Sequence, residues 1–187
     1  MRSRWVLPAV MAFACASTPA NETTPPRPVT GAFLLDTPSA EALAQRLHAL
    51  MQLPRSLGDP QRHRSIDALE HELHALGIEV TERVEHVASD PATGEGYALT
   101  TVLAHLHPSA TRRFVLATHF DTRPWADEEP NEADRLHPVP GANDGTSGLA
   151  IVVELAAVFA RTLPPELGMT VALFDGEELG RPGHGGY

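Results

Sequence analysis

The sequence predicts an α/β fold, a mixed and mainly parallel sheet flanked by helices. Three observations carry that prediction. Phe114-Val115-Leu116-Ala117 and Thr170 to Phe174 are short apolar runs of the kind buried within a sheet. Between them, Gly148 to Ala160 is apolar nearly all round, as a buried helix is. Strand, helix, strand in that order makes a β-α-β unit with parallel strands, normally right-handed.

The elements follow in chain order. Arg2 and Arg4 precede an apolar stretch, Trp5 to Ala14, which ends in small residues before Cys15. A charged start, a short apolar core and small residues at its end describe a secretory signal, so residues 1–15 are expected to be an export signal. Cys15 at the cleavage point resembles a bacterial lipoprotein box, which makes it the candidate lipidation site. The expected location is periplasmic, at the outer membrane through lipidated Cys15, or secreted. Residues 16–30 are rich in Pro and Thr without apolar period and read as an extended tether. The folded part is expected over 31–187.

Thr37-Pro38 supplies a capping hydroxyl ahead of a proline suited to a first helical turn. Leu43, Leu47, Leu50 and Met51 then recur at helical spacing. Leu53 to Pro60 is a turn-rich break. A second helix carries Ile66, Leu69, Leu73 and Leu76 on one face and stops at Gly77. Residues 78–88 and 97–106 are strand-like, and Asp90 to Gly94 between them predicts an antiparallel hairpin extending one side of the sheet.

Composition narrows the function. The 14 Lys+Arg and 24 Asp+Glu give 14 − 24 = −10 at pH 7. An acidic chain lacks the basic footprint of a nucleic-acid binder. One cysteine excludes an intrachain disulfide. No apolar run reaches the roughly 18 residues of a membrane span.

The chemistry gathers at element ends. His119 and Asp121 follow the first buried strand, Asn143-Asp144-Gly145 opens the buried helix, and Asp175, Glu177 and Glu178 follow the second strand. In open α/β sheets the crevice beyond the carboxyl ends of the strands holds the ligand, so the three groups are expected to converge on one edge. Imidazole and carboxylates suit zinc, and adjacent acidic residues can divide metal binding from proton handling. Alone, each has a plainer reading, as a turn former, a solvated pair or a satisfied histidine. The stretch from His119 to Asp144 holds four prolines and five acidic residues between Asp127 and Asp134, without helical or strand period. A long irregular loop within a domain is usually functional. Gly141, Gly145 and Gly148 would let the backbone approach closely there. Other histidines mislead. His71 and His74 stand at i, i+3, where the zincin helix needs i, i+4. His105 and His107 share a strand face with nothing to complete a site, so all four read as surface or edge residues.

Three motifs resemble a known group. Thr118-His119-Phe120-Asp121-Thr122, Pro140 to Gly148 and Phe174-Asp175-Gly176-Glu177-Glu178 are similar, in that order, to the zinc aminopeptidase superfamily that includes the glutaminyl-peptide cyclotransferases. The resemblance covers about residues 40–187. His119 to Asp127, and the stretch Leu179 to Tyr187 in place of a Gly-Leu-x-Gly-Ser turn, look like the cyclotransferase branch. The resemblance implies a zinc aminopeptidase-like fold, with Asp144 and Glu178 as zinc ligands, Glu177 as general acid/base and a peptide or protein N-terminus as substrate. In the cyclotransferase reading, with one zinc, Glu177 takes a proton from the α-amine of an N-terminal glutamine and delivers one to departing ammonia, giving pyroglutamate. In the alternative, a two-zinc aminopeptidase, Glu177 activates water, His119 binds only the second metal, Asp144 bridges and Asp121 orients His119. Both branches need a histidine ligand and an acidic residue from later in the chain, beyond Tyr187. The sequence is therefore expected to be C-terminally incomplete, with weak or no zinc affinity, without turnover and poorly soluble at an unpaired last strand. A third reading is a non-catalytic binding module on the same fold, against which the retained Asp144, Glu177 and Glu178 argue.

Overall fold

A computed structural model describes residues 39–89, 94 and 96–179. All of them lie in the compact unit Leu34–Tyr187, and the unit Met1–Phe33 is outside the described residues. The export signal with Cys15, the tether, the Thr37-Pro38 start, the hairpin turn at 90–93 and residues 180–187 also fall outside them.

The first helix, α1, runs Ala40–Met51. Its cap is Ser39 rather than the expected Thr37: Ser39 Oγ accepts the Ala42 N–H at 3.0 Å, filling one of the donors a helix start leaves unpaired. Helix α2 runs His63–Ala75 and ends at Gly77, as the sequence predicts. Gly77 adopts φ +76°, its N–H donates to His74 O at 2.9 Å, and the Ile78 N–H donates back to Leu73 O at 3.1 Å. That reversed pair of bonds closes the helix and buries Leu73 with Ile78.

The hairpin forms β1 (Glu79–Ser89) and β2 (Gly96–Leu106), paired antiparallel. The β-α-β unit is β3 (Arg112–His119), α3 (Thr146–Thr162) and β4 (Leu167–Phe174), with β3 and β4 parallel. Among the described residues the sheet order is β1-β2-β4-β3, so the sheet is mixed as expected, but with one parallel and two antiparallel pairings it is not mainly parallel there, because the hairpin joins it antiparallel through β2.

Strand periodicity of 2 sorts the two faces. Val102, Ala104 and Leu106 of β2, Phe114 and Leu116 of β3, and Met169, Val171 and Leu173 of β4 form one core with all three helices. Leu50, Leu69, Leu73, Leu149 and Val153 are among the helical residues of that core, each worth up to ~1.5–3 kcal/mol of apolar burial. Phe114 and Phe159 meet edge to face at 5.2 Å between ring centroids, which seats α3 on β3. Arg46 of α1 ion-pairs with Glu72 of α2 and Glu154 of α3 around that core.

Two expectations are corrected. The run Phe114 to Ala117 is not buried on both faces: Val115 is 58% exposed, because among the described residues the helices cover only the face that Phe114 and Leu116 point to. Helix α3 is not buried all round either, since Ile151 is half exposed on the side away from the core. The expected unpaired edge is likewise not on the last strand, because β4 lies between β2 and β3.

Candidate metal centre

The site is assembled where β3 and β4 end side by side. His119 is the last residue of β3, and the Phe120 N–H continues the parallel ladder by donating to Phe174 O at 3.0 Å. Side chains on successive residues there alternate. Phe120 turns into the core, fully buried, while His119 and Asp121 turn towards the opposite side. Beyond β4, Gly176 takes φ +85°, and the chain turns so that Glu177 and Glu178 come beside them. Helix α3 supplies the third part. Its cap, Gly145, has φ +76°, and a Cβ there would stand 2.8 Å from Asp121 O and 3.2 Å from His119 Cε1. Only glycine brings the helix start, and Asp144 with it, so close.

One ligand atom each from His119, Asp144, Glu177 and Glu178 lies within 4.8 Å of every other. His119 Nε2 is 3.2 Å from Asp144 Oδ1, and its Nδ1 is 3.4 Å from Asp121 Oδ1 and 3.8 Å from Glu177 Oε2. Asp121 is fully buried, and its other oxygen accepts the Glu178 N–H at 2.9 Å. Asp121 therefore ties the β3 end to the β4 turn. Asp144 and Glu177 are exposed and Glu178 is buried.

The electrostatics follow from crowding carboxylates around one imidazole. Asp121 at Nδ1 pushes the His119 pKa up to about 9; burial opposes the shift, and the charges of Asp121, Glu177 and Asp144 reinforce it. The Glu178 carboxyl is pushed up by burial first, then by the charges of Asp144, Glu177 and Asp121. A divalent cation among these donors would relieve both strains, and one imidazole nitrogen with carboxylate oxygens is a donor set that suits zinc. The residues present thus fit the metal that the sequence motifs imply.

Asp175 does not join the group. It is buried and ion-paired with Arg62, and its Oδ2 accepts the Thr100 N–H at 2.6 Å. Sequence reasoning also missed two arginines in and just past the Leu53 to Pro60 break. Arg55 is 2% exposed; it donates to Phe120 O at 3.0 Å and Pro140 O at 3.4 Å, and also to Thr146 Oγ1. Arg62 lies 5.3 Å from the Phe120 ring centroid and donates to Arg55 O at 3.3 Å. Burial lowers the pKa of Arg55 to about 10 and lowers that of Arg62 too, while Asp121 opposes both shifts. These cations frame the site from behind. The only sequence hint is that an arginine sits between Pro54 and Leu57, where a surface turn would not need it. The four misleading histidines stay out of the site. His71 and His74 are exposed. His105 Nδ1 meets Thr170 Oγ1 at 2.9 Å, and His107, one residue past β2, meets Leu167 O at 2.9 Å.

An α/β sheet with an imidazole and carboxylates gathered at its strand ends is an arrangement that can hold a divalent cation. Residues 101–185 match the model of Peptidase family M28. Solved structures agree. The glutaminyl cyclase of Tannerella forsythia is similar at 29% identity and a TM-score of 0.70, over 78% of this chain and 49% of that one. The glutaminyl cyclase of Fimbriiglobus ruber is similar at 29% identity and 0.72, over 84% and 53%. A Zn-dependent exopeptidase from Parabacteroides distasonis is similar at 25% identity and 0.70, over 78% and 49%. No curated protein matches the chain. The resemblance to the zinc aminopeptidase superfamily and its glutaminyl cyclase branch therefore stands, and the chain spans about half the length of the solved structures it matches.

Proposed function

We propose that this chain carries the zinc-binding part of a glutaminyl-peptide cyclotransferase-like enzyme that forms N-terminal pyroglutamate. The observation that carries the reading is the single group of His119, Asp144, Glu177 and Glu178 donors at the ends of β3 and β4. Similarity to two glutaminyl cyclases supports this branch. Asp144 and Glu178 hold the metal. When bound, zinc supplies Lewis acidity toward a carbonyl oxygen. Glu177, exposed beside the cluster, takes the proton that the α-amine loses as its nitrogen bonds to the side-chain carbonyl carbon of glutamine. It returns that proton to the amide nitrogen as the old carbon–nitrogen bond breaks and ammonia leaves. Asp121 holds the Glu178 backbone in place, and its other oxygen, 3.4 Å from His119 Nδ1, would orient the imidazole.

A second reading, a two-zinc aminopeptidase, is favoured by the 3.2 Å approach of His119 Nε2 to Asp144, which would suit Asp144 as a bridge. Similarity to a Zn-dependent exopeptidase supports it. One experiment, on the longest product that the reading frame encodes, separates the readings: zinc stoichiometry measured together with assays on a Gln-initiated peptide and an aminoacyl-nitroanilide. One zinc with ammonia release supports the cyclotransferase. Two zincs with nitroaniline release supports the peptidase and sinks the first choice. Zinc without either product favours a binding module, and a chain that takes up no zinc removes the metal centre.

We also propose export, with Cys15 as lipid anchor, on the pattern of residues 1–15. Among the described residues no helix is long and apolar enough to cross a membrane. Labelling with a radioactive fatty acid that is lost in Cys15→Ala would support the anchor, and equal labelling would remove it.

A further inference from the structure

The loop between His119 and Asp144 turns back on the site through one ion-paired pair. Arg123 forks onto Asp127, Nε to Oδ1 at 2.8 Å and Nη2 to Oδ2 at 2.9 Å. A two-point fork fixes the guanidinium plane, so Asp127 determines where the third nitrogen lies. That nitrogen, Nη1, is 3.5 Å from Glu178 Oε2. The Arg123 side chain is 13% exposed and that of Glu178 7%, so water screens the pair far less than a surface ion pair. Arg123, Asp127, Asp144 and Glu178 line one cavity of about 310 Å³. At its other end Glu178 is pinned by its own backbone N–H on Asp121.

We propose that Arg123, braced by Asp127, is a positioning residue that fixes the Glu178 carboxylate against the His119, Asp144 and Glu177 donors. The proposal rests on the metal-centre reading above. A loop staple would need only the Arg123–Asp127 contact, which lies within the loop. The contact to Glu178 leaves the loop and reaches a residue of the donor group. The same contact makes Arg123 a fixed cation beside a site dense in carboxylates, where an unbraced side chain would swing away or compete for the metal's place.

The test uses the full chain with Arg123→Met, Arg123→Lys, Asp127→Asn and Glu178→Gln. Zinc affinity is read by competition with a chromophoric chelator. Arg123→Met is expected to weaken zinc about 10-fold or more, as loss of outer ligand-orienting partners does. Arg123→Lys keeps the charge without the fork and weakens it less, and Asp127→Asn lies between. A second readout is metal-free, in chelator: urea midpoints of Arg123→Met, Glu178→Gln and the double variant. The double variant's shift is expected to be smaller than the sum of the single shifts. Should Arg123→Met fail to fold, Arg123→Lys replaces it in both readouts. Unchanged zinc affinity in a folded Arg123→Met chain overturns the proposal, and so do additive midpoint shifts. A wild-type chain that takes up no zinc counts against the metal centre itself, and the metal-free cycle then decides the role of Arg123 alone.

Discussion

His119 shows how one side chain can serve two masters. Nδ1 faces the buried Asp121 and Nε2 faces the exposed Asp144, and the result is a pKa of about 9 in the metal-free protein. A histidine whose folded pKa is raised contributes stability that is complete below its unfolded value near 6.5 and lost as pH rises through the folded one. In chelator, the urea midpoint should therefore fall between about pH 6.5 and 9, and His119→Gln should flatten that slope. An unchanged slope in the variant would show that Asp121 does not hold the imidazole charged. Arg55 is the opposite case, a cation kept in the interior by three acceptors on separate segments. Arg55→Met leaves the buried Phe120 carbonyl and Thr146 hydroxyl without this donor, and about 2–4 kcal/mol of stability should be lost in a denaturant titration. A loss within the error of the measurement would mean that water replaces the guanidinium.

At the scale of elements, the helix start decides the site. Gly145 permits α3 to begin against His119 and the Asp121 carbonyl, and Gly148 brings it within 2.7 Å (ideal Cβ to Thr118 Oγ1) of β3 one turn on. Gly145→Ala meets both a positive φ and a backbone oxygen that cannot yield, so a cost of at least about 2 kcal/mol is expected. Zinc affinity should drop with it, because Asp144 is the neighbouring residue. If thermal melting and zinc titration both match the parent chain, the close approach is not required. The irregular loop behind this start has one short 3-10 turn, Glu132–Asp134. It is held by the Ala126 N–H to Arg135 O at 3.0 Å and the Val139 N–H to Arg123 O at 2.9 Å. Those two bonds keep the ends of the loop together beside the cavity, which is what a wall of a binding site requires.

Across the whole molecule the sheet is unequally clothed. Helices α1, α2 and α3 share one core on one face, while Val84, Val115 and Phe174 stand exposed on the other. Among the described residues β3 has no partner beyond β4, so an apolar face runs out to an unpaired edge. Such an edge is an association hazard. Val115→Lys should raise solubility while changing stability by no more than about 0.5 kcal/mol, since the side chain is already exposed. Light scattering against concentration would check it, and a variant that aggregates like its parent would place the hazard elsewhere.

Much of this was legible in residue order. The strand–helix–strand unit, the hairpin, the Gly77 stop and the gathering of His119, Asp121, Asp144, Glu177 and Glu178 all follow from local signals. Apolar period, turn residues and the rule that strand ends face a common crevice act over short spans of chain. Burial of β3 was misread because a short apolar run does not say whether one face of the sheet or both are covered, and among the described residues the helices cover only one. Asp175 looked like part of the acidic group until its partner, 113 residues earlier in the chain, was visible. The position of Arg55 between Pro54 and Leu57 and that of Arg123 in the His119 to Asp127 stretch gave at most a hint, since what each does depends on groups that folding brings from elsewhere. Sequence by itself determined which residues could bind a metal and at which end of which element they stand, because those are properties of the local chain. Tertiary structure alone decided which carboxylates face the imidazole and which cations hold them there, because charge acts through distance, and distance between remote residues exists only once the chain has folded.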